Sequence, residues 1–455
     1  MFVQKEEDMA RTICVKNGLM LVAAVLFAGL VFVACGGGSK TNTNGNNPGE
    51  DSGVQQDSGN QDAGGGDTLV VDVITTIKGV DTPVQDAQVA LDKPGGGRVE
   101  KTTDADGKVS FSGLDFSKGT ASATAYLEGY LMRSLVGLTA EDQEVKLYIG
   151  PIKADNLVTI SGNATNMLDE TRELLILTTA YNATYSQAYG PAWSIQVPTG
   201  DPFLLLALEF DAAASASGRG VDQNFYQWFL TEIDAVSADT THDITFDTTI
   251  TPATVSGSFA LPFRAGSKLL TEGSGYVYIT SLQGDWPSTG WPSHIDISSD
   301  GKSFEYDLQY LKDDRLSPYL VQYNVRLSDG AYSACNIEGE PKAGDQTLEF
   351  LDLPDVNPGS GTNGAQVLYQ PITWTAYNTD VKSVLLIQKL ADYVWYVNGP
   401  ADVPSLTVPQ LPSAAEAANL FEGTSKLTGT LLLYKDDPTK PFLLKQAGTP
   451  ITIEK

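Results

Sequence analysis

Short apolar stretches alternate with turn residues along most of the chain from Thr68 onward. In the first part they occupy residues 69–77, 87–91, 108–111, 121–126 and 144–149, with Gly, Pro and Asp between them. Several short stretches at regular spacing are typical of the strands of a β-sandwich. The pattern continues toward the C-terminus, so the sequence predicts an all-β protein of tandem β-sandwich domains, Ig-like or transthyretin-like.

Breaks in this pattern divide the chain into predicted segments. They are a signal peptide (1–34), a disordered Gly/Asn/Asp-rich tether (35–67) and β-sandwich modules at 68–150, 151–252, 253–353 and 354–455. In the second module, residues 203–210 are continuously apolar except for one Glu, which predicts a strand buried on both faces of its sheet. Residues 223–235 fit either a strand or a short helix.

An apolar run at residues 19–34 has the character of a secretory signal peptide, because Arg11 and Lys16 precede it as a cationic segment. The run is short for a comfortable membrane span, and a single uncleaved span is the alternative interpretation. Translation starts at Met1 or at Met9, and Met9 gives the cleaner cationic start.

The apolar run ends in VFVAC at residues 31–35, which resembles the lipobox of bacterial lipoproteins. The resemblance implies cleavage after Ala34 and a diacylglycerol on the thiol of Cys35, the new N-terminus. Gly36 stands where Asp often retains lipoproteins at the inner membrane, so the outer membrane or cell surface of a Gram-negative bacterium is favoured. Acyl chains such as palmitate contribute about 0.8 kcal/mol per buried methylene, so several chains would make the membrane a stable partner.

Residues 36–67 are almost wholly Gly, Asn, Ser, Gln and Asp, with Val54 as their single large aliphatic residue. Such a segment cannot bury enough apolar surface to offset its ordering entropy, so a flexible tether is predicted. Random-coil scaling gives the tether a reach on the order of 30 Å. The modules after Asp67 are therefore expected to work away from the membrane surface.

The charge and the titratable residues limit the chemistry that is expected. Asp and Glu number 56 against 29 Lys and Arg, and the formal net charge of −27 argues against nucleic-acid binding. Cys14, Cys35 and Cys335 are too few and too far apart for a disulfide framework or a thiolate zinc site. Cys335 is predicted to be an isolated buried thiol. With only His242 and His294 in the chain, we expect no Ser-His or Cys-His catalysis, no metal site and no cofactor.

The first module carries turn and core residues in a characteristic order. They are Pro83, Val84, Ala87, Val89, the run TDADG at residues 103–107, Phe111, Gly113, Leu114, Gly129, Tyr130, Val145 and Leu147. This set resembles the carboxypeptidase regulatory-like domain, a transthyretin-like sandwich grouped with carbohydrate-binding-like folds. The resemblance covers residues 68–150 and implies a non-catalytic accessory or adhesive module.

The aspartates before Gly107 have two interpretations. Asp104 and Asp106 would fill positions three and five of an EF-hand calcium loop, but Thr102 and Gly113 then stand where carboxylates are required. Asp-Gly also tolerates positive φ and suits a tight turn between two strands. The missing carboxylates favour the turn, which we expect to close a hairpin between residues 101–103 and 109–111.

The third module contains GDWPSTGWPSHID at residues 284–296, where Trp286 and Trp291 lie among Pro, Gly and Ser. Exposed indoles on a loop suit stacking against sugar rings or a partner's apolar surface, so these residues form the candidate ligand-binding site. Large aromatic side chains usually bury, and the alternative is that one or both fold inward to cap the sandwich.

In the fourth module, Trp374 lies in an early apolar stretch, and Leu406 and Leu411 lie at a later corner. These positions resemble a fibronectin type III-like sandwich, with Trp374 in its core. Residues 414–420 have the composition of an inserted helical turn.

Together these features predict a membrane-anchored surface lipoprotein with a non-catalytic role in binding, adhesion or envelope scaffolding. Its expected partner, besides the membrane, is a glycan or an envelope protein. A carbohydrate-binding surface protein is one alternative, from the resemblance of the first module and from Trp286 and Trp291. A divergent hydrolase of the cell envelope is the second, and it would need two carboxylates converging in one cleft.

Overall fold

A computed structural model describes residues 66–454 except for several short segments. These are residues 78–79, 152–155, 181–185, 201, 215–220, 247–252, 261–269, 281–286, 298–302, 311, 315–318, 328, 376, 390–391, 419–420, 422–424 and 438–439. The predicted signal peptide, Cys35, nearly all of the predicted tether and Trp286 lie outside the described residues.

The described residues are nearly all β-strand, as the sequence predicted. The first module contains β1 (Asp67–Ile77), β2 (Val80–Pro83), β3 (Gln88–Asp92), β4 (Arg98–Thr102), β5 (Lys108–Leu114), β6 (Ala121–Tyr126), β7 (Met132–Leu138) and β8 (Glu144–Tyr148). The second contains β9 (Leu157–Thr165), β10 (Glu173–Thr178), β11 (Ser186–Tyr189), β12 (Ala192–Pro198), β13 (Phe203–Ala214), β14 (Val221–Ile233), β15 (Thr240–Thr241) and β16 (Ile244–Thr245).

The remaining elements follow in the third and fourth modules. The third contains β17 (Ala253–Ala260), β18 (Leu270–Thr280), β19 (Pro287–Ile297), β20 (Ser303–Tyr310), β21 (Tyr319–Leu327), β22 (Tyr332–Glu338) and β23 (Gly344–Gln346). The fourth contains β24 (Asp355–Val356), β25 (Gln366–Val367), β26 (Pro371–Thr375), β27 (Lys382–Lys389), β28 (Asp392–Gly399), β29 (Ser405–Thr407), the helix α1 (Ser413–Ala417), β30 (Lys426–Asp437) and β31 (Lys440–Glu454). The helical turn expected near residue 414 is present as α1.

The first module is a sandwich of two sheets. In one sheet β1 pairs with β2 and β5 antiparallel and with β8 parallel, and the other has the order β4-β3-β6-β7. Leu69 and Val71 of β1 meet Val89 of β3 and Ala123 of β6 in a core from which water is excluded. The predicted β-sandwich is therefore correct, and its assignment to the carboxypeptidase regulatory-like family stays a prediction.

The Asp-Gly turn of this module connects the two sheets. Because β4 pairs with β3 while β5 pairs with β1, the expected hairpin is wrong, although the expected turn is correct. One carboxylate oxygen of Asp104 accepts hydrogen bonds from the backbone N–H of Asp106 (3.0 Å) and Lys108 (2.8 Å). Gly107 has a φ of 73°, and a Cβ there would lie 2.5 Å from the carbonyl oxygen of Val73. The turn thus uses the Asp104 carboxylate itself and requires glycine.

The second module contributes a strand that is buried on both faces. Phe203, Leu205 and Ala207 of β13 face the core of their own module, whereas Leu204 and Leu206 face a core that includes residues of the third module. The prediction from the continuous apolar run is confirmed. Within residues 223–235, positions 223–233 belong to β14, which pairs with β13, so the helical alternative for the segment is wrong.

One continuous sheet runs through the first, third and fourth modules. Its order is β23-β17-β20-β19-β18-β21-β22-β31-β30-β27-β28-β7-β6-β3-β4. The third module joins the fourth through β22 and β31, and the fourth joins the first through the parallel pair β28 and β7. Hydrogen-bonded ladders therefore cross the module boundaries, whose positions remain predictions from sequence.

Residues 347–354 form an irregular segment, although their alternating apolar residues predict a strand. The side chains of Leu348, Phe350, Leu351 and Leu353 are buried, but the ladder that begins at Gly344 ends at Gln346. These side chains are thus buried without a strand ladder, and side chains bond the backbone instead: Asp352 N–H donates to the Asn378 amide oxygen at 2.9 Å, and the Leu351 carbonyl accepts from the Ser333 hydroxyl at 2.9 Å. In the fourth module Trp374 is buried in the core, as expected.

Candidate functional site

The predicted tryptophan pair is only partly within the described residues. Trp286 lies outside them, and Trp291 belongs to β19, where its backbone is opposite Val277 of β18. Because β19 pairs with β18 and, toward its end, with β20, the interpretation of Trp291 as a loop residue is wrong. Its role in ligand binding stays a prediction.

The structure also describes the surroundings of Cys335 and the arrangement of the residue types that bind metal ions. Cys335 is 4% exposed and forms no disulfide, and burial raises the pKa of its thiol, so the predicted isolated buried thiol is confirmed. Among the described residues, no group of three or more His, Cys, Asp or Glu side chains is arranged to hold a metal ion.

The first candidate site is built on a buried carboxylate in the second module. Glu209 of β13 is fully buried, and its carboxylate accepts four hydrogen bonds. The donors are the backbone N–H groups of Leu168 (2.9 Å) and Asp169 (3.0 Å), the Arg172 guanidinium (3.1 Å) and the Gln227 amide (2.7 Å). Charge-assisted hydrogen bonds of this kind are short and strong, and here they fix residues 168–172 to the sheet. We call this group the Glu209 clamp.

The clamp fixes an exposed surface above it. The Arg172 guanidinium lies over the ring of Tyr226, 3.6 Å from its centroid, and the carbonyl oxygen of Arg172 accepts a hydrogen bond from Gly190 next to Tyr189. Tyr226 is 37% exposed, Leu168 61% and Tyr189 77%. We call Leu168, Arg172, Tyr189 and Tyr226 the aromatic patch.

The loop that carries the patch is ordered by its own aspartate. The carboxylate of Asp169 accepts hydrogen bonds from the backbone N–H and the hydroxyl of Thr171, at 2.9 and 2.7 Å. These hydrogen bonds lower the pKa of Asp169, so the carboxylate stays ionised and the turn stays closed at neutral pH. The patch is therefore presented by a preorganised loop.

The second candidate site lies where the first and fourth modules meet, which we call the junction. The indole N–H of Trp395 in β28 donates to the hydroxyl of Ser134 in β7 at 2.9 Å, and that hydroxyl is 2.7 Å from the Thr124 hydroxyl. Trp395 also stacks on Phe421 of the fourth module. Thr124, Ser134 and Trp395 belong to β6, β7 and β28. Their hydrogen bonds form one chain of polar contacts that crosses the junction within the sheet.

The junction extends to the N-terminal end of α1. The carboxylate of Glu100 in β4 accepts hydrogen bonds from the backbone N–H and the hydroxyl of Ser413. The side chain of Gln88 donates to the Ser413 hydroxyl at 2.9 Å and accepts from the Ala414 backbone N–H at 2.8 Å. Side chains of the first module thus satisfy N–H groups that a helix cannot satisfy within itself.

The junction also buries an arginine on the opposite face of the sheet. Arg133 of β7 is 1% exposed, and its guanidinium lies 5.1 Å from the centroid of the Tyr396 ring in β28. Within the described residues, none of its three guanidinium nitrogens has a hydrogen-bond partner. Asn398, two residues beyond Tyr396, is 5% exposed, and neither the oxygen nor the nitrogen of its amide has a partner there.

Sequence reasoning missed both sites, although each left a signal. Glu209 is the single carboxylate in the apolar run at residues 203–210, and Arg133 is the single charged residue at residues 131–138. Charges in strands with buried neighbours are rarely left unpaired. The donors to Glu209 come from residues 168–172 and from β14, and the ring next to Arg133 comes from the fourth module, so these contacts follow from the tertiary fold.

Comparison with known proteins gives similarity of a limited kind. No family model matches the chain, and no curated protein matches it. Solved structures that match in part include a candidate adhesin from Bacteroides ovatus, with 8% identity, 45% of this chain and 95% of that chain covered, and a TM-score of 0.18. A minor pilin from Streptococcus agalactiae matches with 11% identity, coverage of 44% and 100%, and a TM-score of 0.17.

A third solved structure covers more of the chain. It is a Ca²⁺-stabilised ice-binding adhesin of an Antarctic bacterium, with 12% identity, coverage of 86% and 98%, and a TM-score of 0.14. The descriptions of these proteins name adhesins and a pilin, but TM-scores this far below 0.5 carry no argument about this chain. In the part of the chain that the structure describes, no helix has the length and apolar character needed to span a membrane.

Proposed function

We propose that this protein is a lipid-anchored surface protein that binds a partner without catalysis, in an adhesive or scaffolding role. The lipobox-like VFVAC sequence with its Gly-rich segment supports the anchor, at the outer membrane or cell surface. The all-β architecture joined through the junction suits a stiff body that presents a surface away from the membrane.

The observation that carries the binding role is the aromatic patch. Tyr and Arg are the side chains most often found at the energetic centres of protein interfaces. Tyr226 is exposed and Arg172 half-buried, and both are held in place because the buried Glu209 carboxylate fixes Arg172 against the Tyr226 ring. A rigid contact surface loses little conformational entropy on binding, which favours affinity.

Metabolic labelling with a palmitate analogue tests the anchor. We expect labelling of the wild type and of Cys14→Ser, and loss of labelling in Cys35→Ser. Label retained in Cys35→Ser would contradict the assignment of Cys35 as the lipidated residue.

Binding by the aromatic patch is tested with cells that display the full chain on their surface. A double variant, Tyr189→Ala with Tyr226→Ala, should lose adherence to glycan arrays and to envelope proteins by tenfold or more, since aromatic contacts of this kind each contribute about 1–2 kcal/mol. Tyr377→Ala is the matched control, because Tyr377 is similarly exposed (39%) but lies in the fourth module. Unchanged adherence of the double variant, with unchanged thermal stability, would remove the patch as the contact surface.

Carbohydrate recognition through Trp286 and Trp291 is the second candidate. It is supported by the resemblance of the first module to carbohydrate-binding-like folds and by stacking of indoles on sugar rings. Tryptophan fluorescence quenching by array-selected glycans should be reduced in Trp291→Ala or Trp286→Ala. Equal quenching in the wild type and both variants would eliminate it.

A further inference from the structure

The junction contains an arginine whose charge is not balanced by a carboxylate within the described residues. Arginine is present in proteins as a guanidinium cation, so Arg133 carries a positive charge into the interior. Removing a cation from water without a partner costs several kcal/mol, so buried arginines are normally paired. The described salt bridges include none to Arg133.

The surroundings of Arg133 make this cost greater. Tyr396, against which the guanidinium lies, belongs to an apolar cluster with Val384, Leu386 and Leu432, all of them at most 3% exposed. A low dielectric strengthens the interaction of a charge with any group of opposite sign that reaches it. The guanidinium carbon lies 5.1 Å from the centroid of the Tyr396 ring, and none of the guanidinium nitrogens donates a hydrogen bond within the described residues.

Asn398 supplies a second buried polar group, one ladder step from Arg133. It is on the same face of β28 as Tyr396, since the two are separated by one residue, and Tyr396 is directly opposite Arg133 in the parallel ladder. The diagonal neighbours of a ladder are about 7–8 Å apart at their backbones, within reach of long side chains. The Asn398 amide has unpartnered donor and acceptor atoms within the described residues.

We propose that Arg133 and Asn398 form a binding site for a small oxyanion, carboxylate or phosphate, at the junction. The guanidinium fork matches the geometry of two oxyanion oxygens, and an amide N–H supplies a further donor. The anion balances the buried charge of Arg133, and it favours the docked arrangement of the first and fourth modules. It acts as a bound structural ligand, and the site is independent of the aromatic patch.

The site predicts how stability responds to anions. In sodium phosphate or sodium acetate, at constant ionic strength set with chloride, the Tm of the full chain should rise with the logarithm of the anion concentration. Stabilisation by exclusion of salt from the surface grows in proportion to concentration and does not depend on Arg133, so the two effects separate. Comparison of the phosphate and acetate series distinguishes a phosphate from a carboxylate ligand.

Equilibrium dialysis against labelled phosphate and labelled acetate measures the site directly and tolerates slow exchange at a buried position. We expect saturable uptake of one anion per chain in the wild type and in Lys101→Met, which removes an exposed cation of the same module. Uptake should be lost in Arg133→Met and reduced about tenfold in Arg133→Lys, which keeps the charge without the fork.

The proposal is overturned if the wild type takes up neither anion saturably, or if Arg133→Met takes up as much as the wild type. The wild-type titration alone decides the first outcome, so the test does not depend on the folding of any variant.

Discussion

The Glu209 clamp and the junction each bury a charged side chain in a β-sheet, but they treat the charge differently. Glu209 accepts four hydrogen bonds, and its donors come from its own module. Arg133 has a ring face at 5.1 Å and no hydrogen-bond partner within the described residues. Nearby residues of the same module supply the hydrogen-bond donors to Glu209. Arg133 lies between two modules, and its hydrogen-bond partners depend on which groups lie at the junction.

The difference follows from distance along the sequence. Residues 168–172, which carry three of the donors to Glu209, directly precede β10, the strand next to β13 in the sheet. The neighbours of Arg133 across the junction lie more than 250 residues away, at Tyr396 and Asn398. The donors to Glu209 are in place once the sheet of the second module has formed. The surroundings of Arg133 form only when the first and fourth modules meet.

The largest expected effect is on the clamp. Glu209→Ala leaves the Arg172 guanidinium, the Gln227 amide and two backbone N–H groups without their acceptor, which should lower the free energy of unfolding by about 3–5 kcal/mol. Chemical denaturation followed by the fluorescence of the buried Trp228 reports on this module. Glu232→Ala, an exposed position of β14, is the control. A loss below about 1 kcal/mol would show that the clamp is dispensable.

At the junction, Ser134→Ala should have the next largest effect. It leaves the buried Trp395 indole N–H without an acceptor, and an orphaned buried donor costs about 1–3 kcal/mol. Trp395 fluorescence during denaturation measures the loss, and Ser110→Ala, exposed in the same module, serves as the control. Equal stability of the two variants would mean that the polar chain across the junction contributes nothing.

A smaller effect is expected from Glu100→Ala. This change removes the carboxylate that caps α1, and loss of a helix cap costs about 1 kcal/mol. Differential scanning calorimetry should show a lower Tm than for Glu141→Ala, an exposed carboxylate of the same module. In the double variant, the loss in stability should equal the sum of the losses for Glu100→Ala and Ser134→Ala. Additive losses would show that the junction, unlike the Glu209 clamp, consists of independent contacts.

The smallest effect is expected from Arg133→Met in chloride buffer. Replacing a buried charge that lacks a partner with an apolar side chain of similar length is often neutral or stabilising, so the free energy of unfolding should change by less than about 1 kcal/mol or increase. Denaturation in chloride, beside Glu209→Ala, measures both buried charges under the same conditions. A loss as large as that of Glu209→Ala would show that Arg133 is as fully compensated as Glu209.

The fold class was predictable because period-two apolar stretches and turn residues are local signals. β6 was placed to the residue, and the buried strand at 203–210 was recognised from its composition. The strands β4 and β7 were missed, since mixed polarity and a glycine obscure their alternation. The Asp-Gly turn was recognised, but its neighbours were not, because pairing partners are chosen by the tertiary fold.

The sites were harder to predict than the fold. Tryptophans among Pro and Gly suggested a loop, yet residues 287–297 pair with β18 and with β20, because neighbouring strands supply the ladder. The aromatic patch depends on the Glu209 carboxylate meeting Arg172, a contact between residues 37 positions apart. Arg133 and Asn398 come together only through the junction. Such contacts leave little trace in local sequence patterns.

The position of β1 has a mechanical consequence. A pull on the segment before Gly66, directed along the strand axis, loads β1 between β8 on one side and β5, followed along the strand by β2, on the other. The hydrogen bonds of these ladders lie across the strands, so they bear the load together in shear and do not open one after another. A force applied through this segment along the strand axis would therefore meet the first module in its most resistant direction.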